Sequence, residues 1–388
     1  IDMLNDKSII ILFAGYSINN TPKIRNLLYS LKSEGYHVAI FGIVKDLSHK
    51  LEDIDTTHLY SKRDKQGILK IFLVFFYIVK LILLLVFFHK KSNIYAINPV
   101  AGIVALISNI FSSKKYIYES HEMVFGLNYP YFRGRWRHFW SFIEKKIILK
   151  AEYFFTTDAY RLRFIKRYYK VKKDNMGYIL NVPNTIFNIN DKVSCRKLFD
   201  FQDKFVISYC GGIISGRGIE LIIEAYAKFQ RVTPNTILLL AGSIEKDYYD
   251  FLLAKIILLG INTDQVIFTG KLENDMLTKY MTSSDITFAL YSRDSLNNRM
   301  CSPNKVFDAL HSNTYVISTN SFLVHDIIKR YYTGEMLDLI TIDSILNAIK
   351  KYFNRVDKNI NNKVWIDLQQ KYCWHAEFKR VKEKIMLI

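Results

Sequence analysis

The sequence predicts an α/β chain of two doubly wound, parallel-sheet domains facing each other across a cleft. Three observations predict it. Short apolar runs alternate with helix-period segments through most of the 388 residues. The alternation begins afresh after Pro183, with "KFVISYCGG" at 204–212. Half of the residues are hydrophobic, enough to fill two ordinary cores.

In the first half, "KSIIILFAGYS" (7–17) reads as a buried strand ending in Gly15. Ile24, Leu27, Leu28 and Leu31 then repeat at helical spacing before a second strand, "HVAIFGIV" (37–44). "NIYAINP" (93–99), "VAGIVALISNIF" (100–111) and "KKYIYESHE" (114–122) read as strand, helix and strand. "AEYFFTTD" (151–158) and "NMGYILN" (175–181) complete the first sheet. In the second half, strands are expected at 204–212, 235–243, 265–272, 285–291 and 314–319. Helices are expected at 218–231 and near 247–259, 273–283, 303–312 and 323–330. The expected division is therefore 1–183, 184–363 and a C-terminal helical stretch, 364–388, that crosses back to the first domain. Ligands of such sheets bind beyond the carboxyl ends of the strands.

A formal charge of +18 implies an acidic partner. The basic residues are interleaved with aromatics and aliphatics, and no nucleic-acid module is recognisable, so nucleic acid is not expected. Cys195, Cys210, Cys301 and Cys373 are far apart and fit no metal-ligand spacing. No metal is expected, and a reducing compartment is the simplest reading. "IDMLNDKSII" lacks the order of a secretory leader, which places the expected site of action in the cytoplasm.

Two constellations carry chemistry. In "SYCGGIISGRGIELIIEAY" (208–226) a strand ends at Gly211 and Gly212 and a helix begins near Gly218. Glycines permit close backbone approach, and a helix N-terminus presents free N–H groups to anions. Arg217 stands where a guanidinium fork can meet phosphate. In "SPNKVFDALHSNTYVIST" (302–319), Ser302 suits an N-cap and Pro303 the first helical turn. Lys305 in that first turn is unfavourable unless an anion faces it. With Asn304 beside it and Asp308 one turn on, the segment suits a nucleotide sugar: diphosphate on the amides and Lys305, ribose hydroxyls on Asp308. The alternative is a solvated i,i+3 pair of Lys305 with Asp308, and the motif alone leaves both open.

Read together, these segments resemble the GT-B retaining glycosyltransferases of the family 4-like group (group 1) that build bacterial polysaccharides. "YCGGIISGRGIELIIEAY", "LLLAGS", "VIFTGKLENDMLTKYMTSSDITFALY" and "SPNKVFDALHSNTYVIST" resemble the family's C-terminal motifs in order. "YIYESHE", "AEYFFTTD" and "MGYILNVP" resemble its N-terminal ones. The resemblance implies two Rossmann-like domains, an acceptor-binding one followed by a nucleotide-sugar-binding one. It implies that Arg217 contacts the donor diphosphate over the Gly211–Gly212 turn, and that Asp308 is the second acid of the family's E-x7-E motif. The first acid falls at Met300, which leaves the donor sugar unspecified. Gly15 matches the loop facing the diphosphate, and Leu272 the segment whose backbone reads the base. Lys23 and Arg25 match a basic pair on the acceptor side. His121 matches a His near the donor sugar, and Glu122 is placed to orient it or to touch the acceptor. Asp158, Asn181 and Tyr291 are further candidates.

The implied reaction moves a sugar from a nucleoside diphosphate to an acceptor hydroxyl with retention, using Arg217 and Lys305 in place of a metal. No cofactor beyond the nucleotide sugar is expected. The rivals are a sugar-nucleotide epimerase of the same fold and an inactive membrane-bound scaffold.

One segment bears on the acceptor. "QGILKIFLVFFYIVKLILLLVFFHKK" (66–91) carries only Lys70 and Lys80 between Ile68 and Phe88. It is long enough to span a bilayer, which takes about 20 apolar residues. A single crossing would put strands of one parallel sheet on opposite sides of the membrane, so a span is rejected. Gln66, Lys70, Tyr77 and Lys80 share a narrow helical arc, and the apolar remainder is broader than one core contact needs. The expectation is a membrane-facing helical region, joined by the basic, aromatic "YFRGRWRHFW" (131–140). It implies a lipid-linked acceptor, an anionic membrane surface as partner, and a peripheral position on the inner face of the cell membrane.

Overall fold

The structure, a computed structural model, describes residues 8–15, 21–44, 56–61, 67–89, 92–126, 134–184, 189–355 and 362–387. The chain forms two compact units, 1–181 with 374–388, and 182–373.

The first unit runs β1 (Ser8–Gly15), α1 (Pro22–Ser33), β2 (His37–Val44), β3 (Thr56–Ser61), α2 (Gly67–Leu83), β4 (Asn93–Ile97), α3 (Asn98–Ser112), β5 (Tyr116–Glu119), α4 (Gly134–Lys150), β6 (Tyr153–Thr156), α5 (Ala159–Tyr169) and β7 (Met176–Tyr178). The seven strands form one parallel sheet in the order β3-β2-β1-β4-β5-β6-β7. β4 is buried from Ile94 on and β5 along its whole length because helices cover both faces of a parallel sheet. Gly42 is there for space: a Cβ would lie 2.0 Å from the Phe13 carbonyl oxygen on β1.

The second unit runs α6 (Ile189–Leu198), β8 (Phe205–Cys210), α7 (Ile219–Gln230), β9 (Thr236–Ala241), α8 (Lys246–Leu258), β10 (Val266–Phe268), α9 (Asn274–Ser283), β11 (Ile286–Ala289), α10 (Leu296–Arg299), α11 (Asn304–His311), β12 (Tyr315–Thr319), α12 (Phe322–Tyr331), β13 (Gly334–Leu337), α13 (Ile342–Phe353) and α14 (Asn362–Lys371). Its six parallel strands follow the order β10-β9-β8-β11-β12-β13. One core cluster joins the sheet to Ile222, Tyr226 and Ile349. The other joins it to Met281, Val306 and Val324. The last helix, α15 (Trp374–Ile385), belongs to the first unit. There Trp374 Nε1 donates to Ser30 Oγ at 2.8 Å, and Glu377 accepts the Leu180 amide at 3.0 Å.

In each sheet the strand order reverses once, between β1 and β4 and between β8 and β11. Such switch points open a crevice at the carboxyl ends of the strands. Of the apolar run at 66–91, Gly67–Leu83 forms α2, continued by a wide π-helical turn at Leu84–Phe88; residues 66, 90 and 91 lie outside the described residues. Among the described residues no helix is long and apolar enough to cross a membrane. Lys80 does not lie in a purely polar stripe. Phe76, Leu83 and Phe87 are exposed on the same side of the helix, while Leu81 and Leu85 are buried.

Candidate donor site

The site in the second unit is assembled at the β8–β11 switch point. β8 ends at Cys210, and the chain passes Gly211 at φ +121°. It stays against β9 through Gly211 N–H donating to the Ala241 carbonyl at 2.8 Å and Ile213 N–H to the Ser243 carbonyl at 2.9 Å. This close approach requires Gly242, at φ +146°, where a Cβ would lie 2.0 Å from the Gly211 carbonyl oxygen. Gly242→Ala is therefore expected to lower stability by at least about 2 kcal/mol in denaturant unfolding, with the second unit affected.

Above this turn sits Lys305, in the first turn of α11. Its Nζ donates to the Cys210 carbonyl at 2.7 Å and lies 3.6 Å from the Tyr209 ring centroid. A side chain at Gly211 would meet Lys305 Nζ at 2.7 Å, so this glycine makes room for the ammonium. Arg217 lies between Gly216 and Gly218, both at positive φ, and stacks 4.4 Å from the Tyr291 ring centroid at the end of β11. Burial, with a smaller contribution from the Arg217 charge, lowers Lys305 to about 7. Burial raises Asp308 to about 7 against the opposing pull of Lys305. Among the described residues Lys305 and Asp308 form no ion pair with each other, so the solvated-pair alternative does not describe them. Tyr291 and the Gly216–Gly218 loop also border an open pocket of about 370 Å³.

Three details differ from the sequence expectation or refine it. Ser302 is not the N-cap: Pro303 occupies that position, and Ser302 Oγ, one residue earlier, is buried without a hydrogen-bond partner among the described residues. The fixed φ of proline suits the cap here, which pushes the serine out of reach of the first amides. Met300 is 7 % exposed, so the first-acid position is filled by an apolar side chain. Leu272 packs partly against the core cluster that includes Ala241 and Val306.

In the first unit the polar residues converge on one carboxylate that the sequence reading did not single out. Glu119, at the end of β5, is 1 % exposed. It pairs with Lys23, accepts from Tyr95 Oη at 2.6 Å, and lies 2.9 Å from His121 Nε2. Burial alone would raise its pKa. Lys23 and His121 outweigh burial and hold it well below the usual carboxylate range. Lys23 is 2 % exposed and also donates to the Ile179 carbonyl at 2.7 Å. It is thus committed to the interior and does not face an acceptor. Glu119, not Glu122, orients His121; Glu122 is exposed. Asp158 is the N-cap of α5, accepting from the Tyr160 and Arg161 amides at 2.8 and 2.9 Å. Gly15 closes β1 beside Val44, and Arg25 is half-buried on α1.

The only sequence signal for Glu119 was a carboxylate inside a run of buried strand residues, which demands partners. Apart from His121, its partners Lys23 and Tyr95 come from α1 and β4, far away in sequence.

Residues 193–362 match the family model "Glycosyl transferases group 1". None of the curated proteins matches the chain significantly in sequence. Sucrose-phosphate synthase from Thermosynechococcus elongatus superposes with TM-score 0.75 at 17 % identity, over 98 % of both chains. HepE of Anabaena, solved in complex with UDP-glucose, superposes with TM-score 0.72 at 14 % identity, over 98 % of this chain and 100 % of that one. WaaG, a glycosyltransferase involved in lipopolysaccharide biosynthesis, gives TM-score 0.67 at 12 % identity, over 97 % and 99 %. At these identities the likeness is one of fold: two parallel α/β units in the GT-B arrangement.

Proposed function

We propose that this glycosyltransferase, whose group 1 domain spans residues 193–362, moves a sugar from a nucleoside diphosphate to a saccharide acceptor carried on lipid. The transfer keeps the anomeric configuration and serves the building of bacterial surface polysaccharide on the inner face of the membrane. One observation carries the donor reading: two basic side chains, Lys305 and Arg217, converge at the β8–β11 switch point, and among the described residues neither forms a salt bridge with a carboxylate. Beside them stand the N-termini of α7 and α11. That arrangement suits a diphosphate. A neighbour of the same fold holding UDP-glucose supports the substrate class, and one involved in lipopolysaccharide biosynthesis supports the pathway.

The roles follow from the chemistry. As the bond from the sugar's anomeric carbon to the diphosphate oxygen breaks, negative charge grows on the leaving group. Lys305 and Arg217 meet that charge, with no metal or further cofactor in the scheme. Asp308 takes the ribose hydroxyls, and the segment at Leu272 holds the base. His121, oriented by Glu119, is the first unit's candidate for acting on the donor sugar. The acceptor hydroxyl attacks from the face the diphosphate leaves, and a leaving-group oxygen takes its proton.

The test is a thermal-shift screen with UDP, GDP, CMP and TDP. One of them is expected to raise the melting temperature of the second unit. If none does, the donor reading fails. Isomerised nucleotide sugar formed without acceptor would mark an epimerase instead.

A further inference from the structure

The geometry points to a docking surface for an anionic lipid bilayer on the outer face of the helical layer α2–α3–α4. It deepens the lipid-linked acceptor proposed above and rests on that reading for its purpose, but the surface itself stands on the first unit alone. The connections β3–α2–β4, β4–α3–β5 and β5–α4–β6 all advance the same way along the sheet. Right-handed crossovers therefore place the three helices on one face, with α1 on the other. α3 touches both α2 and α4, so the layer is continuous.

Its outer side is apolar and aromatic. Phe76 on α2, Phe87 in the π-helical turn that continues it, Phe111 at the end of α3, and Trp136, Phe139 and Phe142 on α4 are each between 49 % and 73 % exposed. Single exposed apolar residues are ordinary, but a cluster on adjoining helices marks an interaction surface. The π-helical turn at Leu84–Phe88 extends α2's exposed stripe to its end.

Charge selects the occupant. Lys80, Arg135, Lys146 and Lys150 are exposed among these aromatics. The three helices hold a single acid, Glu144, and it is 2 % exposed, bonded to Tyr118 and Ser120 at 3.0 Å each. The layer thus offers water cations and aromatic rings and no carboxylate. An anionic headgroup layer over acyl chains matches both. A second copy of the chain would bring like charges together across a two-fold contact.

Flotation of the full chain with phosphatidylcholine vesicles, with and without phosphatidylglycerol, tests this. The chain is expected to float with the anionic vesicles, and salt should weaken the association. Phe76→Ser with Phe87→Ser, and separately Arg135→Glu with Lys146→Glu, should each lower the bound fraction by about tenfold or more. The nucleotide-induced thermal shift should be unchanged in both variants, which shows an intact fold and separates this surface from the donor site. A chain that stays at the bottom of the gradient, or variants that float like the parent, overturns the assignment. So does a dimer in sedimentation that the same substitutions abolish, which would make the occupant a second copy.

Discussion

Lys305→Ala will cut sugar transfer by about a hundredfold or more, while the ligand-free protein melts no lower than the parent. The two halves of this expectation come from one fact. Burial holds the Lys305 pKa at about 7, against 10.5 for the free side chain. Between those values the unfolded chain binds the proton and the folded chain does not, so this group's contribution to stability rises with pH from about 7 to 10.5. Asp308 runs the other way. Its folded pKa of about 7 lies above 3.8, so its contribution falls as pH rises from 3.8 to about 7. Together the two place a stability minimum near neutrality in the ligand-free protein. On the donor reading proposed above, a bound diphosphate relieves it by facing the Lys305 ammonium with negative charge. On that reading, loss of Lys305 removes transition-state stabilisation, and the hydrogen bond lost to the Cys210 carbonyl is offset by the burial cost of the amine that goes with it. Transfer at the parental rate in both Lys305→Ala and Arg217→Ala would show that the donor diphosphate lies elsewhere.

The second large effect belongs to Glu119. Glu119→Gln leaves the Lys23 ammonium buried without a counter-charge among the described residues, facing only neutral acceptors such as the Ile179 carbonyl. Breaking one side of a buried ion pair costs about 3–5 kcal/mol, read as a lower midpoint in denaturant unfolding. Removing both sides, in Lys23→Met with Glu119→Gln, is expected to recover much of that loss, because no uncompensated charge remains. The pH sign follows from the depressed folded pKa. The stabilisation is present above about 4.5 and is lost as pH falls toward the folded value. His121 loses its orienting carboxylate in the same variant, so transfer should fall in the double variant even after stability recovers. A single variant that unfolds at the parental midpoint would contradict the buried-pair account.

Much of the fold was legible because parallel strands buried on both faces read as unbroken apolar runs: β1, β2, β4, β8, β9 and β12 all announced themselves so. β3 and β13 did not. Each lies at one edge of its sheet, and "TTHLYS" and "GEML" lack such a run. α4 drew notice as a basic, aromatic stretch, and its helical character was hidden by cations and rings on its exposed side. Lys305 and Arg217 were legible as cations at helix starts. That Lys305 turns away from Asp308 onto the Cys210 carbonyl was not, because β8 and α11 meet only through the strand order. Glu119 escaped for a related reason. Register sets Ile97 opposite Glu119 and Tyr95 opposite Ile117, which brings Tyr95 onto the same face of the sheet. No local pattern in "YIYESHE" encodes that pairing.

The central claim is that a nucleoside diphosphate binds on the Lys305 ammonium. Calorimetric titration of the nucleotide at about pH 8, in two buffers of different ionisation enthalpy, measures proton uptake directly. Lys305 is then mostly neutral in the free protein and charged in the complex, so binding should take up close to one proton, and should still do so in Asp308→Asn. Tight binding without proton uptake, or binding undiminished in Lys305→Ala, would contradict the account.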